Sequence, residues 1–317
     1  FTLGLGTTIT FMSSHWLLAW MGLEINTLAI IPLMIQSRHP RAVEATTKYF
    51  LTQATAAAVL LFASTTNAWL TGQWAIQDMS HPVPATMAIL ALGMKMGLAP
   101  LHVWLPEVMQ GLDFTTGLIL STWQKLAPFA LILQIHPGHS FVLITLGLAS
   151  LLAGGWGGLN QTQLRKILAY SSIAHLGWMV LVMQFSPRLS LLAFVTYCVM
   201  TFSAFLTFKW AKTTNINMLA NSWTKAPPLT ALAPLMLFSL GGLPPLTGFM
   251  PKWLILQELT KQELAPLATI AALSALLSLY FYLRLSYAMT LTIAPHTLAA
   301  TPLWRLPCKK PSLPLAI

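Results

Sequence analysis

Little charge is present. Of 317 residues, 17 are Lys or Arg and 7 are Asp or Glu, together 8%, against about 25% in an ordinary soluble domain. With 56% hydrophobic residues and a mean hydropathy of +0.69, too little polar surface remains to cover a water-facing protein of this size. A cytosolic globular enzyme and a disordered chain are both excluded. The net charge of +10 and pI near 9.9 raise nucleic acid as a partner. Its basic residues come singly and in pairs, however, as they do in the loops of membrane proteins. No nucleic acid is expected.

Cysteine is scarce too. Cys198 and Cys308 stand far apart, outside any CxxC or Cys/His cluster, which leaves no framework for an iron–sulfur cluster, a structural zinc or a disulfide scaffold. No GxGxxG follows a strand, and GxxxxGK[ST] and HExxH are missing; one SxxK, Ser222 to Lys225, lacks its companion motifs. This chain is expected to bind no metal, nucleotide or redox cofactor of its own.

What the sequence has is long apolar runs. A bilayer core of about 30 Å needs about 20 apolar residues per helix. Runs fall at 1–13, 15–36, 45–66, 82–105, 115–135, 140–159, 164–184, 189–211, 229–257 and 265–290, separated by short polar or Pro/Gly-rich stretches. The expected fold is an all-α polytopic membrane protein with about ten transmembrane helices. No charged leader precedes Phe1 and an apolar stretch begins near Leu313, so the chain is expected to be clipped at both ends. If every run crosses, the side of Phe1 receives Arg38, Arg41, Arg165, Lys166, Lys209, Lys212, Lys225, Arg305, Lys309 and Lys310. The other side receives only Arg188 and Lys261. The positive-inside rule then places the N-terminus on the cytoplasmic or matrix side.

Two of the runs are interrupted in the same way. Gly97-Leu-Ala-Pro-Leu-His-Val-Trp-Leu-Pro106 and Gly242-Leu-Pro-Pro-Leu-Thr-Gly-Phe-Met-Pro251 share G-L-x-P-L-x-x-x-x-P at an offset of 145 residues. Pro100, Pro244 and Pro245 remove amide donors, so the helices must break there, beside Gly97 and Gly242. Unwound backbone at membrane depth is tolerated only when buried in protein or lining a cavity. Paired breaks in corresponding halves point to a transport site. The breaks lie in the fourth and ninth runs, five crossings apart, which implies opposite topology. The expectation is two inverted five-helix repeats, 1–135 and 140–290, each with one discontinuous helix, followed by a loop at 291–317. Two ordinary proline kinks are the plainer alternative.

A charge at the bilayer centre costs about 3 kcal/mol on insertion scales. Glu24, Lys95, Lys125 and Lys252 all sit in apolar sequence, Lys95 one turn before the first break and Lys252 directly after the second. Burial disfavours the charged form of either residue type, so a buried Glu–Lys pair exchanges a proton at little cost. The plainer reading of Glu24 with Lys95 is a static ion pair. Gly93 and Gly97 flank Lys95 in a GxxxG that would let a neighbouring helix bring its carboxylate close. Snorkelling accounts for Lys48, Lys209 and Arg284 but not for Lys125, about ten residues from either end of its run. His175 stands among apolar residues with Tyr170, Ser171 and Ser172 nearby; it is either hydrogen-bonded core or a relay. The row Glu24, Lys95, Lys125, His175, Lys252 is what a proton or cation path requires.

At these residues a resemblance becomes specific. Trp156-Gly-Gly-Leu-Asn-Gln-Thr-Gln-Leu-Arg-Lys-Ile-Leu-Ala-Tyr-Ser-Ser-Ile173 resembles the segment shared by antiporter-like membrane subunits of respiratory NADH dehydrogenase (complex I). Ser13-Ser-His-Trp16, Lys48-Tyr-Phe-Leu-Thr-Gln-Ala54, Trp123-Gln-Lys-Leu-Ala-Pro128, Gly241–Trp253 and Tyr280–Leu285 are similar to the vertebrate mitochondrial members. The resemblance implies two inverted five-helix repeats and an N-terminus in the matrix. It also implies an eleventh, C-terminal helix whose start is Leu313 to Ile317, and synthesis inside mitochondria. It places the family's proton path on Glu24, Lys95, Lys125 and Lys252, with His175 a central member. The implied role is proton translocation in the mitochondrial inner membrane, driven by quinone chemistry elsewhere. NADH, FMN, iron–sulfur clusters and ubiquinone would be used by other subunits. Partners would be other membrane subunits, including neighbouring antiporter-like ones, and lipids such as cardiolipin. A cation/proton antiporter subunit and a structural scaffold are the alternatives.

Overall fold

The computed structural model describes residues 1–36, 39–79, 81–135, 140–220, 222 and 227–290. Arg38, Lys225, Arg305, Lys309, Lys310, Cys308 and the expected eleventh helix lie outside the described residues. The rest is helical: α1 (Thr2–Met12), α2 (Trp16–Ile35), α3 (Pro40–Thr71), α4 (Pro82–Met96), α5 (Trp104–Gly111), α6 (Phe114–Ser121) and α7 (Trp123–Gln134). There follow α8 (Ser140–Gly158), α9 (Leu164–Met183), α10 (Pro187–Ala211), α11 (Ile216–Leu219), α12 (Pro227–Gly241), α13 (Phe249–Lys261) and α14 (Ala265–Thr290). Proline starts α3, α4 and α10, where its missing N–H costs nothing. His15 and His39, near the ends of their runs, cap α2 and α3 through Nδ1, accepting from the Leu17 and Arg41 amides.

Among the described residues, seven helical stretches are long and apolar enough to cross a membrane: α2, α3, α6 with α7, α8, α9, α10 and α14; α1, α4 and α12 are shorter apolar helices. The expected breaks are present. Helix α4 ends at Gly97 (φ +82°) and α12 at Gly242 (φ +79°), and Ala99–Pro100 and Pro244–Pro245 are cis. The two ends are built alike. Gly97 N–H donates to Gly93 and Met94 and Leu98 N–H to Gly93; Gly242 N–H donates to Phe238 and Ser239 and Leu243 N–H to Phe238. Such left-handed caps need glycine because a Cβ would crowd the following carbonyl.

The buried apolar residues form two separate cores, and most long helices contribute to both. On α2, Trp16, Ala19 and Leu23 enter one core while Ile30 and Met34 enter the other. On α9 the switch falls between Ile173 and Leu176, on α10 between Tyr197 and Met200, and on α3 between Tyr49 and Leu60. Between the levels lie Glu24, Asn26 and Thr27 on α2, Gln53 on α3, and His175 on α9. The architecture is a polar stratum held at mid-depth between two apolar layers.

The connections meet at two ends. The α1–α2 and α3–α4 turns pair through Trp16 N–H to Trp74 O and Ile76 N–H to Ser14 O, each 3.0 Å, with His15 stacked on Trp74. Elsewhere His39, Arg41, Gln110, Asp113, Gln163, Arg165 and Asn215, from four other connections, surround a polar cavity of about 470 Å³.

Candidate functional site

The first break delivers Lys95. It sits in the last turn of α4, where the carbonyl end of a helix favours a cation. It is 6% exposed, and no group among the described residues accepts a hydrogen bond from its Nζ. Glu24 is the carboxylate whose field reaches it, but the two form no ion pair. Among the described residues the ion pairs are Lys48 to Glu44 and Lys48 to Glu107, each 2.8 Å. The Glu24 carboxylate instead accepts from the Thr27 hydroxyl at 3.1 Å. Gly93 packs on Leu98 and Leu146 rather than admitting a carboxylate, so the GxxxG serves packing and the cap. Trp104 Nε1–H closes the break by donating to Met94 O at 3.0 Å.

Lys95 and Lys125 line one narrow cavity of about 10 Å³, room for about one water. Asn26, Thr27, Gln53 and Gln124 give it polar walls, and Gln124 Nε2 ties α7 to Asn26 on α2. Lys125 is not in mid-helix as expected. The run 115–135 is interrupted at Thr122, and Lys125 lies in the first turn of α7, 2% exposed. Its Nζ donates to the Tyr197 hydroxyl at 3.4 Å and lies 5.3 Å from that ring's centroid. His175 also packs against that ring, with centroids 5.4 Å apart. His175 and Lys252 then share a second small cavity of about 20 Å³.

The second break delivers Lys252, 8% exposed, whose Nζ donates to Gly241 O at 2.7 Å. Gly241 is the last residue of α12, so this ammonium also caps a helix C-terminus. The structure therefore brings the buried Lys95, Lys125 and Lys252 and the half-buried His175 into one row, with Glu24 beside its first member through Thr27.

The sequence comparisons fall on the same segments. The family model described as "NADH:quinone oxidoreductase/Mrp antiporter, TM" matches residues 13–278, and that described as "NADH dehydrogenase subunit 2 C-terminus" matches 279–317. NADH-ubiquinone oxidoreductase chain 2 of Tetraodon nigroviridis is 74% identical over 313 residues, covering 99% of this chain and 90% of the relative. That of Salmo salar is 70% identical over 317 residues, covering 100% and 91%. The chain belongs to the NADH-ubiquinone oxidoreductase chain 2 family. As a chain 2 family member it is also similar to a chain of respiratory complex I from Thermus thermophilus with bound aureothin: TM-score 0.84, 29% identity, 94% of this chain and 72% of that one. A chain of the Mrp complex from Dietzia sp. shares the fold alone, at TM-score 0.82 and 18% identity over 91% of this chain and 59% of that one.

Sequence reasoning missed several residues that the fold gathers around this row. Thr27 and Asn26 follow Glu24 by three and two residues, a polar cluster visible in the sequence. Gln53 and Gln124 are lone amides in apolar runs, which is also a signal. Tyr197 had none, because an aromatic among apolar residues reads as packing. Lys48 and Arg284, read as snorkelling, are both engaged: Lys48 in its two ion pairs and Arg284 through Nη1 to Leu159 O at 2.9 Å. The hydroxyls of Ser171 and Ser172 turn back to Leu168 O and Ala169 O within their own helix.

Proposed function

We propose that this chain is a proton-translocating membrane subunit of the respiratory NADH:ubiquinone oxidoreductase of the mitochondrial inner membrane, spanning it about ten times with its N-terminus in the matrix. The carrying observation is Lys95: an ammonium held at mid-depth, without an accepting group among the described residues, on a cavity shared with a second buried lysine. An unpaired buried charge destabilises a fold. Such a group is retained for chemistry rather than for stability. Protons would pass among Lys95, Lys125, His175 and Lys252, with Glu24 modulating the first lysine, each holding a proton in turn. Moving one charge against the membrane potential costs about 2.3 kcal/mol per 100 mV. That work would come from quinone reduction in other subunits, which would also hold FMN and the iron–sulfur clusters and use NADH.

The same reading makes residues 1–135 and 140–290 inverted five-helix repeats, supported by the matching caps at Gly97 and Gly242. Residues 291–317 would form a matrix-side loop and the start of a further helix. Neighbouring antiporter-like subunits would be its partners in the membrane, and anionic lipids such as cardiolipin would meet the basic matrix-side residues. A sodium-carrying site would require several oxygen ligands, and Glu24 is the one carboxylate in the row, which favours protons.

Lys95→Met tests the reading. The substitution breaks no hydrogen bond among the described residues, so the complex should assemble and melt at or above the wild-type temperature. Quinone-linked proton translocation should fall at least tenfold. An assembled Lys95→Met complex that pumps at the full rate would overturn the proposal.

A further inference from the structure

The interruption at Thr122 has its own bonding pattern. The Thr122 amide donates to Leu118 O at 3.0 Å, but the Lys125 amide turns to Thr122 O at 3.3 Å. The carbonyl of Ser121, four residues before Lys125, thereby loses the donor that a continuous helix would supply. A buried carbonyl without a donor is costly, and a side chain from elsewhere must supply one. The hydroxyl of Tyr197, on α10, donates to Ser121 O at 3.0 Å. With its proton committed there, its lone pairs face Lys125 Nζ. The Tyr197 ring is 0% exposed and lies against both His175 and Phe194, with centroids 5.4 and 6.3 Å away. Helices α6, α7 and α10 thus meet at one phenol oxygen.

We propose that Tyr197 is the positioning residue of the row: its hydroxyl pins the broken α6–α7 helix through Ser121 O and holds Lys125 toward His175. The proposal rests on the proton-translocation reading above. A phenylalanine would fill the same volume, so packing alone does not account for the hydroxyl. The arrangement also responds to charge. While Lys125 is an ammonium it donates to the phenol, whose own O–H stays directed at Ser121 O. Once Lys125 has passed its proton on, its nitrogen offers a lone pair, and the phenol O–H can rotate from Ser121 O to Nζ. The backbone carbonyl at the interruption is then released. The hydroxyl therefore reports the protonation state of Lys125 to the helix that carries it.

The test uses the assembled complex carrying Tyr197→Phe, Tyr197→His or, as a check on the row itself, Lys95→Met. Tyr197→Phe should assemble but translocate protons at least tenfold more slowly, with a changed pH dependence of the rate. Tyr197→His restores a ring that both donates and accepts and should recover part of the loss. Normal pumping and an unchanged pH profile in Tyr197→Phe, with Lys95→Met inactive, overturns this inference and leaves the proton reading standing. Normal pumping in Lys95→Met removes the reading on which the inference rests. If Tyr197→Phe does not assemble, Tyr197→His decides: assembly with pumping supports the role of the hydroxyl, and assembly without pumping overturns it.

Discussion

Lys125 has less escape from the apolar interior than any other charged side chain in the row, being 2% exposed against 6% for Lys95 and 8% for Lys252. Two roles are open to such a cation, and they respond differently to substitution. A relay must release and regain its proton, whereas a strut needs only to remain charged. Arginine keeps its proton under all conditions a protein meets. Lys125→Arg should therefore stall proton translocation in an assembled complex as fully as Lys125→Ala does. Near-normal pumping in Lys125→Arg beside a dead Lys125→Ala would identify a strut and remove Lys125 from the path. The residue scale also shows what sequence can and cannot reveal. Lys125 was identifiable because a lysine in an apolar run has no bland explanation. Its partner Tyr197 lies 72 residues away, and a tyrosine in an apolar run does have one.

The two half-helix ends share a backbone geometry but differ in what lies beside it. At Gly97 an added Cβ would meet Trp104 and Leu105 at 3.5 to 3.6 Å, ordinary contact; at Gly242 it would sit 2.8 Å from Lys252 Cδ and 2.9 Å from its Nζ. Both alanine variants force a left-handed conformation costing about 1–2 kcal/mol. Only Gly242→Ala also displaces the ammonium from Gly241 O. Both variants should lower the melting temperature of the purified complex by a few degrees, while Gly242→Ala alone should depress proton translocation. Equal pumping in the two would show that the Lys252 cap is dispensable. These two interruptions were legible because proline and glycine announce themselves. The third, at Thr122, was not: Ser121-Thr-Trp-Gln carries no breaker, and Pro128 lies a turn and a half further on, inside α7. What holds that interruption open is a donor from α10, a tertiary cause that no local pattern records.

At the scale of the whole molecule, the offset of 145 residues pairs Gln73, after α3, with Met218, after α10. Inverted repeats put such equivalent positions on opposite sides of the membrane; parallel repeats put them on the same side. Both residues are exposed. A membrane-impermeant thiol reagent added from the matrix side should label Met218→Cys and spare Gln73→Cys, and the pattern should reverse from the other side. Labelling of both from one side would refute the inverted arrangement. That the chain is built of long apolar helices could be read from hydropathy, because bilayer thickness sets their length. The division of the interior into two apolar layers could not, since it depends on which helices face one another. Helix α9 is the most enclosed, with 83% of its apolar stretch inside the protein against 33 to 56% for the other six. Its neighbours include α5, α6 and α8, but also α10, α13 and α14. In a chain made from its N-terminus, the last three do not yet exist when α9 first meets the bilayer. Its polar stretch around His175 must then be sheltered by earlier helices alone, which makes α9 the step at which biogenesis of this subunit is most exposed to failure.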